Sequence, residues 1–194
     1  MGKIIAITGG IGSGKSTALK ILEKLGYKAF NADKIYKELL LNEEFVCKIS
    51  SEMGVNPLTE NGRLVLDRKG VADLVFNDRE ALKKLNDLTH PAIMKEMISR
   101  AKFLKGLVFC EVPLLYEGGF ENLFDYVFII ARKCDLRIKG VSERDKKSSS
   151  EVEKIIENQF DYTKIEANKH TFIIDNNGDE SSLERNIKVA IKGI

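Results

Sequence analysis

A lysine and two hydroxyl residues stand directly behind a run of glycines near the start of the chain: Gly9-Gly10-Ile11-Gly12-Ser13-Gly14-Lys15-Ser16-Thr17. The spacing is G-x-x-x-x-G-K-[ST], and its chemistry is phosphate binding. Glycines let the backbone turn so that successive N–H groups converge on one anion. A helix opening at the end of the loop adds the partial positive charge of its N-terminus. Lys15 is expected to reach the β- and γ-phosphates of a nucleoside triphosphate, and the Ser16 hydroxyl to take a position on Mg²⁺. The expected ligands are therefore ATP and Mg²⁺. A dinucleotide fingerprint does not fit, because Lys15 stands where the third glycine would be required.

Phosphate loops serve kinases, GTPases and motor ATPases alike. A GTPase would read guanine with N/T-K-x-D; Asn168-Lys169-His170-Thr171 begins that way but ends in threonine. Asp175-Asn176-Asn177-Gly178 spells a D-x-x-G switch, but too late in the chain for that order. The Ser-Gly-Gly signature of transporter ATPases is absent. A small chain without appended domains favours a kinase of a small metabolite. A nucleotide-dependent switch that turns over no acceptor is the non-enzymatic alternative.

A kinase also needs an acceptor side. Asp33 ends the segment Asn31-Ala32-Asp33, at the carboxyl end of an expected strand, where ligands of parallel sheets bind. It could accept the proton of an attacking hydroxyl, or simply cap the helix that follows. Arg68 could pair with an anionic substrate or make a surface ion pair. His90, before Pro91, could end a helix. Glu117 could face the cleft or cap a later helix.

The elements that must hold these residues alternate between strand and helix, the pattern of an α/β fold with a parallel sheet. Apolar runs predict strands at Ile4–Ile7, Tyr27–Phe30, Leu107–Val112, Tyr126–Ala131 and Thr171–Ile174. Helical spacing runs from Ser16 through Leu25 to a stop at Gly26, and through Ile35 and Leu39. Leu82, Leu85 and Leu88 mark a helix stopped at His90-Pro91. Ile93, Met94, Met97, Ile98 and Ala101 mark another. Ser150 with Glu153, and Ser181 with Glu184, read as capping boxes opening two further helices. Ser142 to Glu151, rich in charge and serine, reads as a loop.

Composition sets the bounds. The 194 residues suffice for one domain with a core; 43% are hydrophobic and 31% charged, as in soluble globular chains. A net charge of +2, with both signs mixed along the chain, marks neither a nucleic-acid nor a membrane binder. Cys47, Cys110 and Cys134 are far apart and odd in number, which suits reduced thiols in the cytoplasm. Two histidines and no CxxC argue against zinc. The apolar run before Gly9 is too short for a signal peptide, and none approaches a membrane span.

Taken in order, ITGGIGSGKST, LGYKAFNAD, NGRLVLDRKGVADLVF, LNDLTHPAI, VPLLYEGG, LRIKGVSERD, VEKIIENQ and IIDNNG resemble the dephospho-coenzyme A kinases over nearly the whole chain. The resemblance implies transfer of the ATP γ-phosphate to the ribose 3′-hydroxyl of dephospho-coenzyme A, the last step of coenzyme A synthesis. A nucleoside monophosphate or other small-metabolite kinase is the alternative. The resemblance also implies one P-loop kinase domain over residues 1–194, with a helical acceptor-binding region at about 34–105 and a lid at about 133–151. It makes Asp33 the general base and Arg68, His90 and the turn from Leu115 to Glu117 acceptor-site candidates. Gly10, Gly12, Ser13, Gly14, Lys15, Ser16 and Thr17 hold the triphosphate, and Asn176 to Gly178 lie near the adenine. Two positions depart from the pattern. The usual Asp-Ala-Asp is Asn31-Ala32-Asp33, and of two lid arginines four apart only Arg144 is present, Gly140 standing at the earlier position. The lid cations left are Arg137, Lys139 and Arg144. Arginine forks grip phosphate best, so Arg144 is expected to lead, with Arg137 second.

Overall fold

In the computed structural model, which describes residues 2–194, the chain opens with β1 (Lys3–Thr8), buried at every position after Lys3. A strand that is apolar throughout must be covered on both faces, which is the situation of a parallel α/β sheet. Then follow α1 (Lys15–Lys24) and β2 (Lys28–Asn31). Next come α2 (Ala32–Leu39), α3 (Glu43–Met53), the short strands β3 (Leu58–Glu60) and β4 (Arg63–Val65), α4 (Arg68–Asn77) and α5 (Arg79–Lys102). The remainder is β5 (Leu107–Glu111), β6 (Tyr126–Ala131), α6 (Cys134–Asp145), α7 (Ser149–Glu157), β7 (Thr171–Asp175) and α8 (Glu180–Lys192). No helix of the described residues is long and apolar enough to cross a membrane.

These elements form two compact units. The first, up to Asn31 and again from Arg100 onward, holds a five-stranded sheet in the order β2-β5-β1-β6-β7. Every neighbouring pair is parallel, with Ile7 opposite Glu111 and Phe128 opposite Phe172. The expected α/β parallel sheet is therefore the one formed. Its core joins Ile5, Ile7, Phe109 and Phe128 to Leu19 and Leu22 of α1 and Leu183 and Ile187 of α8. The second unit, Ala32 to Ser99, contains the β3–β4 hairpin and a separate cluster of Leu40, Val46, Ile49, Met53, Leu66 and Val71.

Three expectations about elements are corrected. Pro91 does not stop a helix: α5 runs through it. The missing N–H costs one bond, but apolar spacing continues across it from Leu85 and Leu88 to the buried Ile93, Met94 and Met97. The segment from Ser142 to Glu151 is mostly helical; only Lys146 to Ser148 separates α6 from α7, with Lys146 in the left-handed region at φ 54°. Both capping boxes were placed two residues late. Ser148 with Glu151 forms the first, and Asp179, accepting from the N–H of Ser182, caps α8. In each case a second hydroxyl or carboxylate upstream offered the same chemistry.

Candidate active site at the phosphate loop

The loop between β1 and α1 is shaped by its glycines. Gly14 adopts φ 101° as the residue before α1, and no side chain caps that helix. Its first N–H groups therefore face the loop unblocked by any capping side chain. A Cβ on Gly14 would also collide with the Asn176 amide. Lys15 opens α1 and donates from Nζ to the carbonyls of Gly9 (2.7 Å) and Gly10 (3.1 Å). Burial lowers its pKa below the ordinary lysine value, and the nearby carboxylate of Glu111 opposes that shift.

Glu111 is the residue that sequence reasoning missed. It closes β5 and is 4% exposed. Its Oε1 accepts from Ser16 Oγ at 2.8 Å, and its Oε2 accepts from Asn31 Nδ2 at 2.7 Å. The signal was available: an acidic residue ending an otherwise apolar run at the carboxyl end of a central strand. A hydroxyl and a buried carboxylate side by side are hard oxygen donors. That set fits Mg²⁺, which takes one or two protein oxygens and completes its shell with phosphate and water.

A second layer grips the loop from outside. Ile11 is held at both backbone groups: its N–H donates to Gln159 Oε1 (2.8 Å) and its carbonyl accepts from Arg137 Nε (2.9 Å). Arg137 also reaches Gln159 at 3.4 Å. Tyr162, its phenol pushed up to about 12 by burial, shares a hydrogen bond with buried Thr8 at 3.0 Å. Asn176 Nδ2 donates to the Ser13 carbonyl at 2.7 Å. Gln159→Ala is expected to leave the Ile11 N–H without its partner, at a cost of about 1 kcal/mol. That corresponds to a fall of about 2–4 °C in Tm for a chain of this size, with a severalfold rise in KM for ATP. Calorimetry and steady-state kinetics on one preparation check both.

The other residues singled out in the sequence fall as follows. Gly10, Gly12, Ser13 and Thr17 all belong to the loop and its helix start. Arg144 lines a cavity of about 230 Å³ with Gly12, Lys15 and Ser16, and is paired with Asp145 through Nε (2.7 Å) and Nη2 (2.8 Å). Arg137 is committed to the loop backbone, and Lys139 is exposed. Asn176 braces the loop, and Gly178 is an exposed turn residue against Ser182. Leu115 is fully buried, so as an acceptor-binding candidate it presents no side-chain surface. Glu117 caps no helix: the short 3-10 turn Glu121–Leu123 that follows starts from Phe120 without a side-chain cap, and the Glu117 carboxylate accepts from the Phe160 N–H at 3.3 Å.

Three candidates lie in the second unit. Asp33 is the second residue of α2, exposed, and among the described residues its carboxylate accepts no hydrogen bond. Capping does not account for it. Arg68 is the first residue of α4, which Asp67 caps, and its charge reaches the half-buried Tyr36. His90 sits inside α5 rather than at its end, and burial lowers its pKa against the pull of Asp87. A larger cavity of about 790 Å³ opens beside Lys3, Tyr126 and Thr171, at the amino ends of β1, β6 and β7. It lies at the wrong end of the sheet for the ligands of a parallel fold.

A family model described as dephospho-CoA kinase matches residues 3–182. A dephospho-CoA kinase of Fusobacterium nucleatum is 33% identical over 187 residues, spanning 95% of each chain. A solved dephospho-CoA kinase from Campylobacter jejuni is 30% identical, with a TM-score of 0.63 over 98% of this chain and 97% of that one. The structure of TT1252 from Thermus thermophilus, also 30% identical, reaches a TM-score of 0.78 over 100% and 98%. With a lysine-bearing phosphate loop backed by a buried carboxylate, and a match running nearly end to end, the chain belongs to the dephospho-CoA kinase family of P-loop kinases.

Proposed function

We propose that this kinase moves the γ-phosphoryl group of ATP to the ribose 3′-hydroxyl of dephospho-coenzyme A, giving coenzyme A and ADP. The observation that carries the nucleotide half is the Lys15 ammonium among loop carbonyls at the start of α1, beside the Ser16–Glu111 pair. The loop N–H groups and Lys15 bind the β- and γ-phosphates and offset charge spreading onto the transferring group. Ser16 and Glu111 are the residues that would hold Mg²⁺. When bound, that ion neutralises phosphate charge as the β–γ bridge breaks. Asp33 takes the proton of the 3′-hydroxyl while its oxygen forms the new bond to phosphorus and the bridging oxygen leaves with ADP. Arg68 and His90 flank the acceptor, and α6 with the start of α7 covers the triphosphate as a lid.

Mixing the protein with ATP, Mg²⁺ and dephospho-coenzyme A is expected to yield coenzyme A and ADP in equal amounts. Nucleoside monophosphates are expected to be poor acceptors. A faster rate with AMP or another monophosphate would move the assignment to a nucleoside monophosphate kinase, and turnover independent of any acceptor would favour a switch. Excess chelator is expected to stop the reaction and added Mg²⁺ to restore it; turnover that persists in chelator contradicts the Ser16–Glu111 metal position.

A further inference from the structure

Arg132 follows β6 directly, and none of the roles above uses it. Its backbone stands at the carboxyl end of β6, the strand paired with β1, from which the phosphate loop springs. Its side chain lines the same cavity as Gly12, Gly14, Lys15, Ser16 and Thr17. The Nε atom is shut away from water and, among the described residues, has no hydrogen-bond partner. A buried donor without an acceptor costs free energy, and arginine donors form a planar fork suited to phosphate oxygens. The other two guanidinium groups near the loop are already engaged: Arg137 Nε with the Ile11 carbonyl, and Arg144 with Asp145 through two bonds.

Gly140 of α6 lies beside the Arg132 guanidinium. A Cβ built at position 140 would stand 3.8 Å from Arg132 Nη1, ordinary contact distance. A long side chain on α6 at that point would contest the space the guanidinium now fills. Position 140 is also where the sequence departs from the paired lid arginines of the kinases it resembles. We propose that Arg132 is a phosphate-binding residue of the nucleotide site, supplying from the end of β6 the positive charge that Gly140 does not supply from α6.

The inference rests on reading the loop as the ATP site, and the test separates the two. ATP affinity is measured by titration calorimetry for the wild type, Lys15→Ala, Arg132→Ala, Arg132→Lys, Arg132→Gln and the double variant Arg132→Ala with Gly140→Arg. Losing a charge-assisted contact is expected to weaken ATP binding about 10- to 100-fold in Arg132→Ala. Arg132→Lys should keep part of that affinity and Arg132→Gln little of it. The double variant should recover most of it. ATP binding by Arg132→Ala within about twofold of wild type, with Lys15→Ala impaired, overturns the proposal. Should Arg132→Ala fail to fold, equal affinities of the Lys and Gln variants overturn it instead. A double variant no better than Arg132→Ala overturns the exchange between positions 132 and 140. A wild type that binds no ATP, by contrast, removes the reading of the loop itself.

Discussion

Lys15→Ala is expected to cut kcat/KM for coenzyme A formation by about 10³-fold or more while the protein stays folded. The scale follows from removing a preorganised charge aimed at the transferring group. The fold should survive because Lys15 belongs to neither apolar cluster; its bonds go to the carbonyls of Gly9 and Gly10. Those carbonyls can turn to water once the ammonium is gone. Lys15→Arg is expected to fail nearly as badly, since a planar fork does not replace a compact ammonium in a site walled by loop backbone. Coenzyme A formation and thermal melting, measured on the same samples, decide the matter. A folded Lys15→Ala protein with near-normal turnover would remove the phosphate loop from the mechanism.

The sheet was legible because its central strands are short and almost wholly apolar. Leu107 to Cys110 and Tyr126 to Ile130 carry too few polar residues to face water, so their burial on both faces follows from composition. The second unit was harder to read. The β3–β4 strands have three residues each and are mostly exposed, so alternation had nothing to register. α4 opens with Arg68, Lys69 and Gly70, which look like loop until the Asp67 cap is seen. Pro91 misled because local propensity forbids what packing tolerates. Local rules state the cost of one lost hydrogen bond, whereas the fold weighs it against apolar contacts along three turns.

The site divided in the same way. A motif that would bind phosphate through its backbone is contiguous, so Gly9 to Thr17 could be singled out from spacing alone, and the fold sets them between β1 and the first turn of α1. Residues that act by holding others come from far away in the chain. Gln159 reaches Ile11 across 148 positions and Glu111 reaches Ser16 across 95, and no local pattern announces such a pair. Arg137 shows the limit most clearly. It was expected among the lid cations, but the fold sets its guanidinium on the loop carbonyl of Ile11. Arg132 went unremarked because it stands in strand-end sequence, where a charge reads as the mere end of an apolar run.

Asp33→Asn is expected to lower kcat by about 10²–10⁴-fold, the usual worth of a positioned general base, with KM for ATP little changed. The carboxylate is exposed and accepts no hydrogen bond from the described residues, so it is free to take a proton. It lies two residues past Asn31, whose amide is bonded to Glu111. Asparagine preserves size and polarity. What it removes from the fold is a negative charge in the first turn of α2, worth about 0.3–1 kcal/mol against the helix dipole, or a few degrees of Tm at most. Catalysis and stability are thereby separated by this one substitution: a base loses turnover by orders of magnitude with a small change in melting. Asp33→Glu, which keeps the carboxylate but extends it by one methylene, is expected to fall between wild type and Asp33→Asn. Turnover of Asp33→Asn within about tenfold of wild type, alongside a drop in Tm beyond a few degrees, would instead make Asp33 a helix-stabilising residue and return the search for the base to the acceptor side.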